Sequence, residues 1–282
     1  MLQALAEGDV RPDLLIGASA GAINAAYVAG HGTGAKALEV LANTWRGLRR
    51  QKVFPFDPLR HLLALAGSRP SRCANRNLRR LIEDHLPYRN LEDAATPVHI
   101  VTTNLLSGEE VLLSTGDALG AVLASAAIPA VLPAIEREGL TLVDGGVADN
   151  AALSQAVALG ADEIYVLPAG FACALQRSPT SALAAAVQAL TLLIEQRLVM
   201  EVAQFAGPAQ IKVLPPLCPL AVSSADFSHA GELIDRAHGV TGRWLDSGGP
   251  SLSAPERFLS LHRHQPDATL GPDEHACAEF VA

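Results

Sequence analysis

An apolar run, Leu14-Leu15-Ile16, leads directly into Gly17-Ala18-Ser19-Ala20-Gly21, and the chain leaves through Ala22-Ile23-Asn24-Ala25-Ala26. A strand that turns sharply into a helix forces together the side chains on either side of the turn, so small residues are needed there. Gly17, Ala18, Ala20 and Gly21 meet that demand around Ser19. The turn lifts the serine hydroxyl off the sheet and sets it at a helix N-terminus, where the dipole favours developing negative charge. Ser19 is therefore a candidate nucleophile, and its bland reading is a small residue filling a tight turn. Either way the feature demands a sheet with helices packed on it.

The rest of the chain alternates between the two periodicities. Met1–Glu7 reads as a helix stopped by Gly8, Leu14–Ile16 as a strand, and the elbow helix runs to about Gly30. Leu38, Leu41, Trp45 and Leu48 recur at helical spacing, and two further helices are expected around Leu59–Ala66 and Leu78–Leu86. Val98–Thr103 and Glu110–Leu113 read as strands of a hairpin turning at Ser107-Gly108. A helix Ala118–Ala127 ends at Pro129, and a short strand Leu140–Val143 enters Asp144-Gly145-Gly146. Asn150 is the expected cap of a helix through Leu159, followed by strand Ile164–Leu167. Ser178-Pro179 is the expected start of a long helix to about Phe205, before strand Ile211–Leu214 and helix Asp226–Leu245. Strands alternating with helices predict a three-layer α/β/α domain with a mainly parallel central sheet. It is expected over residues 1–248, with a poorly ordered tail over 249–282.

At 282 residues the chain is long enough to bury a large core, and 49% hydrophobic with 18% charged residues fits a packed protein. A net charge of −8 provides no positive field to gather nucleic acid, so none is expected as a partner. Cys73, Cys173, Cys218 and Cys277 show neither zinc-ligand spacing nor a disulfide framework; no metal or cofactor is expected, and a reducing cytoplasm is the default. The N-terminus lacks the basic start and long apolar region of a signal peptide. The uncharged stretches Leu14–Ala35, Ala118–Ile135 and Ser178–Ile194 are broken by glycine, broken by proline, or short, so none reads as a membrane span.

A serine hydroxyl needs a base to remove its proton. None of the nine histidines sits in a turn built for that role. His31 and His99 lie in or beside regular elements, His61 and His85 on expected helices, and His262, His264 and His275 in the tail. Asp144 is the better candidate. It stands at the carboxyl end of a strand, before Gly145 and Gly146, which let the backbone turn tightly into the site region of an α/β sheet. Burial beside the serine would raise its pKa from the ordinary value of about 3.9 while leaving it ionised at neutral pH. Alone, it would be an ordinary turn aspartate.

Together, Gly17-Ala18-Ser19-Ala20-Gly21 and Asp144-Gly145-Gly146 resemble the motifs of the patatin-like phospholipase family. So do Ala124-Ser125-Ala126-Ala127-Ile128-Pro129-Ala130-Val131-Leu132-Pro133, Thr102–Glu109 and Asp149-Asn150, and the resemblance covers roughly residues 1–168. It implies a Ser19–Asp144 dyad working without histidine, an acyl-enzyme, and a lipid or acyl-ester substrate of the phospholipase A, lysophospholipase or carboxylester type. A cytoplasmic protein is expected, with room for peripheral contact at the inner face of a membrane. The family's first strand and its glycine-rich oxyanion loop belong ahead of Met1-Leu2-Gln3-Ala4-Leu5 and are expected to be missing, leaving the Ala20 N–H as the elbow's donor.

Three other readings compete. A Ser-His-Asp α/β-hydrolase would need several strands before the elbow. A short-chain dehydrogenase would need a third glycine where Ile23 stands and a Tyr-x-x-x-Lys that follows none of the tyrosines. A catalytically impaired scaffold or lipid-binding protein keeps the fold without the chemistry. Surface readings stay open as well: Arg76, Arg79 and Arg80 as a phosphate-facing patch or a solvated helix face, and Phe54-Pro55-Phe56 with Leu59, Leu62, Leu63 and Leu65 as a lipid-touching lip or the core of a small cap. The apolar helix Leu183–Phe205 reads as core or as one wall of an acyl pocket.

Overall fold

In the computed structural model, which describes residues 1–53, 73–170, 172–175, 177–223, 226–251 and 259, the run entering the elbow is strand β1, Leu15–Ala18. The expected helix Leu59–Ala66, the apolar lip and nearly all of the C-terminal tail lie outside the described residues. The chain is an α/β protein, and its residues gather into two compact units, Arg11–Ala152 and Met1–Val10 with Leu153–Ala282.

The Arg11–Ala152 unit is built around β2, Val98–Asn104, whose burial is so complete that even Thr102 and Thr103 are enclosed. β1 runs parallel to β2, with Leu15 opposite Val98 and Ala18 opposite Val101. β3, Glu110–Leu113, returns antiparallel along β2 as the expected hairpin. β5, Leu140–Asp144, is also antiparallel to β2, with Asp144 opposite Thr102 and Leu142 opposite Asn104. Ile100 and Val101 are thus paired with both β1 and β3, and Thr102 and Thr103 with both β3 and β5. β3 therefore follows one edge of β2, while β1 and β5 share the other, running toward each other.

β4, Ile135–Arg137, is a strand the sequence did not reveal; it joins β5 through Glu138 (φ 52°) and Gly139 (φ 79°). Two consecutive left-handed residues form the two-residue hairpin turn that matches strand twist. Glutamate at its first position conceals the usual Asn-Gly or Asp-Gly signature.

Helices Ala20–His31 and Ala118–Ser125 contact this sheet and each other. Ala22, Ala25, Ala26 and Ala29 on the first, and Ala118, Ala121 and Val122 on the second, are buried with Val98 and Ile100. Small side chains let these helices approach closely and keep the strand-to-helix turn short. Helix Ala35–Arg46 buries Leu38 and Leu41, and helix Arg76–Glu83 buries Leu78 and Ile82 while Arg76, Arg79 and Arg80 lie off that buried stripe.

The other unit pairs β6, Glu163–Val166, in parallel with β7, Gln210–Val213, the two joined through helix Ala182–Gln204. Helix Leu2–Glu7 packs on Ala230–Asp246, with Leu5, Leu214 and Trp244 buried together. Two expected caps are corrected here. Ser181, not Ser178, caps the long helix, accepting from the Ala184 N–H at 3.2 Å. The helix expected to start at Asn150 begins at Leu153, because Asp149 Oδ1 takes the Ala151 and Ala152 N–H groups at 3.0 and 2.7 Å instead.

The shortness expected of the third uncharged stretch is also corrected. Helix Ala182–Gln204 is long and apolar enough to cross a membrane, with a mean hydropathy of 1.4 over its most apolar window, of which only 11% is buried. The uncharged stretch is short because it stops at Ile194, but the helix continues through Glu195 and Arg197 to Gln204.

Candidate active site

β1 and β5 end beside adjacent positions of β2: Ala18 faces Val101 and Asp144 faces Thr102. One residue of rise along a strand is about 3.3 Å, so whatever follows Ala18 meets the end of β5. Ser19 follows it, and its hydroxyl donates to Asp144 Oδ2 at 2.6 Å across 125 positions of sequence. The register of three strands thus brings the two candidate residues together.

Ser19 sits at φ 53° and ψ −121°, as the N-cap of helix Ala20–His31. A non-glycine residue there is strained by about 1–3 kcal/mol and must be held by its surroundings. Gly17 is what allows the sharp return. A Cβ on Gly17 would stand 2.5 Å from the Gly21 carbonyl oxygen and 2.7 Å from Ala22 Cα. Gly145 is equally constrained, since its Cβ would strike the Val101 carbonyl. Gly146 is buried and donates its N–H to Asp144 Oδ1 at 2.9 Å.

Gly21 departs from expectation: a Cβ there would meet nothing within 4 Å, so the turn does not require it. Ala18 ends β1 half-buried, and Ala20 opens the helix on the exposed side. Gly17→Ala is accordingly expected to destabilise the fold by about 1–3 kcal/mol. Gly21→Ala should leave thermal stability within about 0.5 kcal/mol of the parent. A melting series that reversed this order would contradict the elbow geometry.

Asp144 is 4% exposed, and burial pushes its pKa from 3.8 up to about 6. The hydrogen bonds from Ser19 and from the Gly146 N–H pull it back toward the ordinary range without cancelling that rise. A carboxylate in this state is a far better proton acceptor than an exposed aspartate, yet it remains ionised at neutral pH. Its main chain is fixed as well: the Asp144 N–H donates to Ala127 O at 3.1 Å, and Thr103 Oγ1 donates to Asp144 O at 2.8 Å.

Two residues around this pair escape a reading of the sequence. Ser125 is fully buried at the end of helix Ala118–Ser125; its Oγ accepts the Ser19 N–H at 2.9 Å and donates to Val101 O at 2.6 Å. Thr103, also buried, accepts the Ala148 N–H at 3.0 Å while it holds Asp144. Both lie in segments singled out for their likeness to family motifs, but neither carries a chemical signal of its own. A hydroxyl in an alanine-rich run reads as filler until its partners are seen.

The described histidines are engaged elsewhere. His31 stacks on Tyr27, His85 bonds Leu81 O and Thr44, His99 meets Ser114 at 2.6 Å, His229 meets Glu232, and His238 meets Glu7 at 2.8 Å. His61, His262, His264 and His275 lie outside the described residues. Among the described residues no group of three or more His, Cys, Asp and Glu side chains is arranged to hold a metal ion.

The arrangement can transfer a proton from a strained, preorganised serine to a buried carboxylate, with a helix N-terminus alongside for negative charge. Against known families, a family model described as patatin-like phospholipase matches residues 1–157 of the chain.

Proposed function

Because the chain belongs to the patatin-like phospholipase family, we propose that it hydrolyses lipid acyl esters through a Ser19–Asp144 dyad and an acyl-enzyme, as a phospholipase A, lysophospholipase or carboxylester hydrolase. Membership itself implies lipid acyl hydrolysis in general terms. The observation that carries the finer reading is the 2.6 Å hydrogen bond from Ser19 Oγ to a buried carboxylate of raised pKa.

Ser19 Oγ attacks the acyl carbonyl carbon while Asp144 Oδ2 takes its proton. The carbonyl oxygen becomes an oxyanion beside the start of helix Ala20–His31, where the N–H of Ala20, the first helical residue, has no acceptor in the preceding turn. As the tetrahedral adduct collapses, the C–O bond to the alcohol breaks and Asp144 returns the proton to the leaving oxygen. Water then attacks the acyl-Ser19 ester with Asp144 again as base, releasing the fatty acid and restoring the serine. Peripheral contact with a lipid surface belongs to the same proposal; the sparsely buried apolar helix Ala182–Gln204 supports it.

A fluorophosphonate probe tests the reading directly, because phosphonylation requires an activated hydroxyl but no matched lipid. The expected result is one adduct, on Ser19. Folded protein that stays unlabelled would favour the scaffold reading over the hydrolase.

Ser125→Ala removes the acceptor of the Ser19 N–H and leaves that donor buried and unpaired, at a cost of about 1–3 kcal/mol. We expect slower labelling by about 10–100-fold, from a loosened elbow, with the adduct still on Ser19. Labelling at the parent rate would remove Ser125 from the machinery.

A further inference from the structure

Outside the candidate site, the most unusual pairing of reactive side chains is in the Leu153–Ala282 unit. Cys173 lies in the turn after β6, and Cys218 lies in the segment after β7, 45 positions later, yet their sulfurs stand 3.8 Å apart. The apposition is built by the backbone. The Ala174 N–H donates to Leu220 O at 3.0 Å, and the Leu220 N–H donates to Cys173 Sγ at 3.3 Å. The two loops are therefore laced together at the position of the thiols.

Both cysteines are reduced and half-buried, which leaves a path for a small reagent, whereas Cys73 is buried. An N–H donated to a sulfur stabilises the thiolate, the form that attacks. Glu195 on helix Ala182–Gln204 is 4% exposed and senses Cys173 electrostatically. Burial, with Cys173 second, pushes its pKa up to about 7, and above that pH its carboxylate opposes a thiolate at Cys173.

We propose that Cys173 and Cys218 form a thiol–disulfide exchange site that takes low-molecular-weight disulfides and closes to an intramolecular disulfide. In the first step one thiol loses its proton to solvent, and the thiolate attacks one sulfur of a small disulfide RS–SR. This forms a mixed protein disulfide and expels RS⁻, which takes up a proton. In the second step the neighbouring thiolate attacks the protein-side sulfur of that mixed disulfide, expelling the other RS⁻. Two thiols are oxidised, one small disulfide is reduced to two small thiols, and no other oxidant is needed. Closure asks the sulfurs to move from 3.8 Å to a bond length of about 2.05 Å. The bond would tie together the two ends of the segment that carries helix Ala182–Gln204 and β7.

The experiment uses the full chain, incubated with oxidised glutathione, quenched by alkylation and examined by intact-mass and peptide mass spectrometry. The expected product is lighter than the reduced chain by two hydrogens, carries two fewer alkylated cysteines, and yields a peptide joining Cys173 to Cys218. Dithiothreitol should restore both thiols. Cys173→Ser and Cys218→Ser each remove the resolving thiol and should instead accumulate a glutathione adduct on the remaining partner. A stable adduct on the parent chain, a bridge to Cys73 or Cys277, or two unreacted thiols would overturn the proposal. The outcome is independent of whether Ser19 is a nucleophile.

Discussion

Ser19→Ala is expected to abolish both fluorophosphonate labelling and acyl-ester hydrolysis, with a rate loss of about 10⁴–10⁶-fold on any ester the parent turns over. The size follows from the mechanism. No second hydroxyl among the described residues shares the Asp144 carboxylate: Thr103 is buried and bonds the Asp144 main-chain oxygen, and Ser125 is fully buried and bonded to Val101 O. The variant should fold, since it only deletes a hydroxyl at a half-buried position and the Ser19 N–H keeps its Ser125 acceptor. It should also raise the pKa of Asp144 further, because the bond lost is the larger of the two that hold the carboxylate ionised. Hydrolysis at the parent rate by the purified variant would end the acyl-enzyme account.

Much of this is legible in the chain. The elbow, its helix, the hairpin Val98–Leu113 and the strand entering Asp144-Gly145-Gly146 all appear where small residues and period-two alternation place them. What no pattern reveals is the head-on meeting of β1 and β5 along one edge of β2. Register is a property of pairing between distant strands, and a single sequence records only each strand's own alternation. Ser125 and Thr103 are hidden for the same reason: their work lies in distant backbone partners, Ser19 N–H and Val101 O for one, Asp144 O and Ala148 N–H for the other. The caps at Asp149 and Ser181 escape prediction because several Ser, Thr, Asp and Asn residues crowd each helix start, and local competition among side chains decides which one accepts.

Gly21 and the long helix show sequence reasoning failing in opposite directions. The motif suggests that Gly21 is a steric necessity, whereas the space beside it is open. The helix looks too short when charge is counted by uninterrupted runs, while the folded helix absorbs Glu195 as a buried, partly neutral group.

Asp144→Asn should separate stability from activity. The folded-state pKa of Asp144 lies at about 6, above the unfolded value of 3.8. A raised pKa means that folding favours the protonated form. The stabilisation from that preference is complete below about pH 3.8 and is lost as pH rises through about 6. At pH 8 the ionised carboxylate therefore costs the fold roughly 3 kcal/mol relative to a neutral group at the same position. Asparagine supplies that neutral group with the same shape: its amide oxygen accepts the Gly146 N–H and its NH₂ faces Ser19 Oγ. The variant should melt above the parent at pH 8, with the difference shrinking toward pH 4. It cannot accept the serine proton, so kcat/KM should fall by about 10²–10⁴-fold. In the parent, kcat/KM should rise with pH through about 6 and level off above it, following ionisation of the free enzyme's base. Calorimetry across that pH range, paired with the rate profile, tests both halves. A variant less stable than the parent at pH 8 would show that the ionised carboxylate supports the fold, and a parent profile flat from pH 5 to 8 would assign the proton transfer to another group.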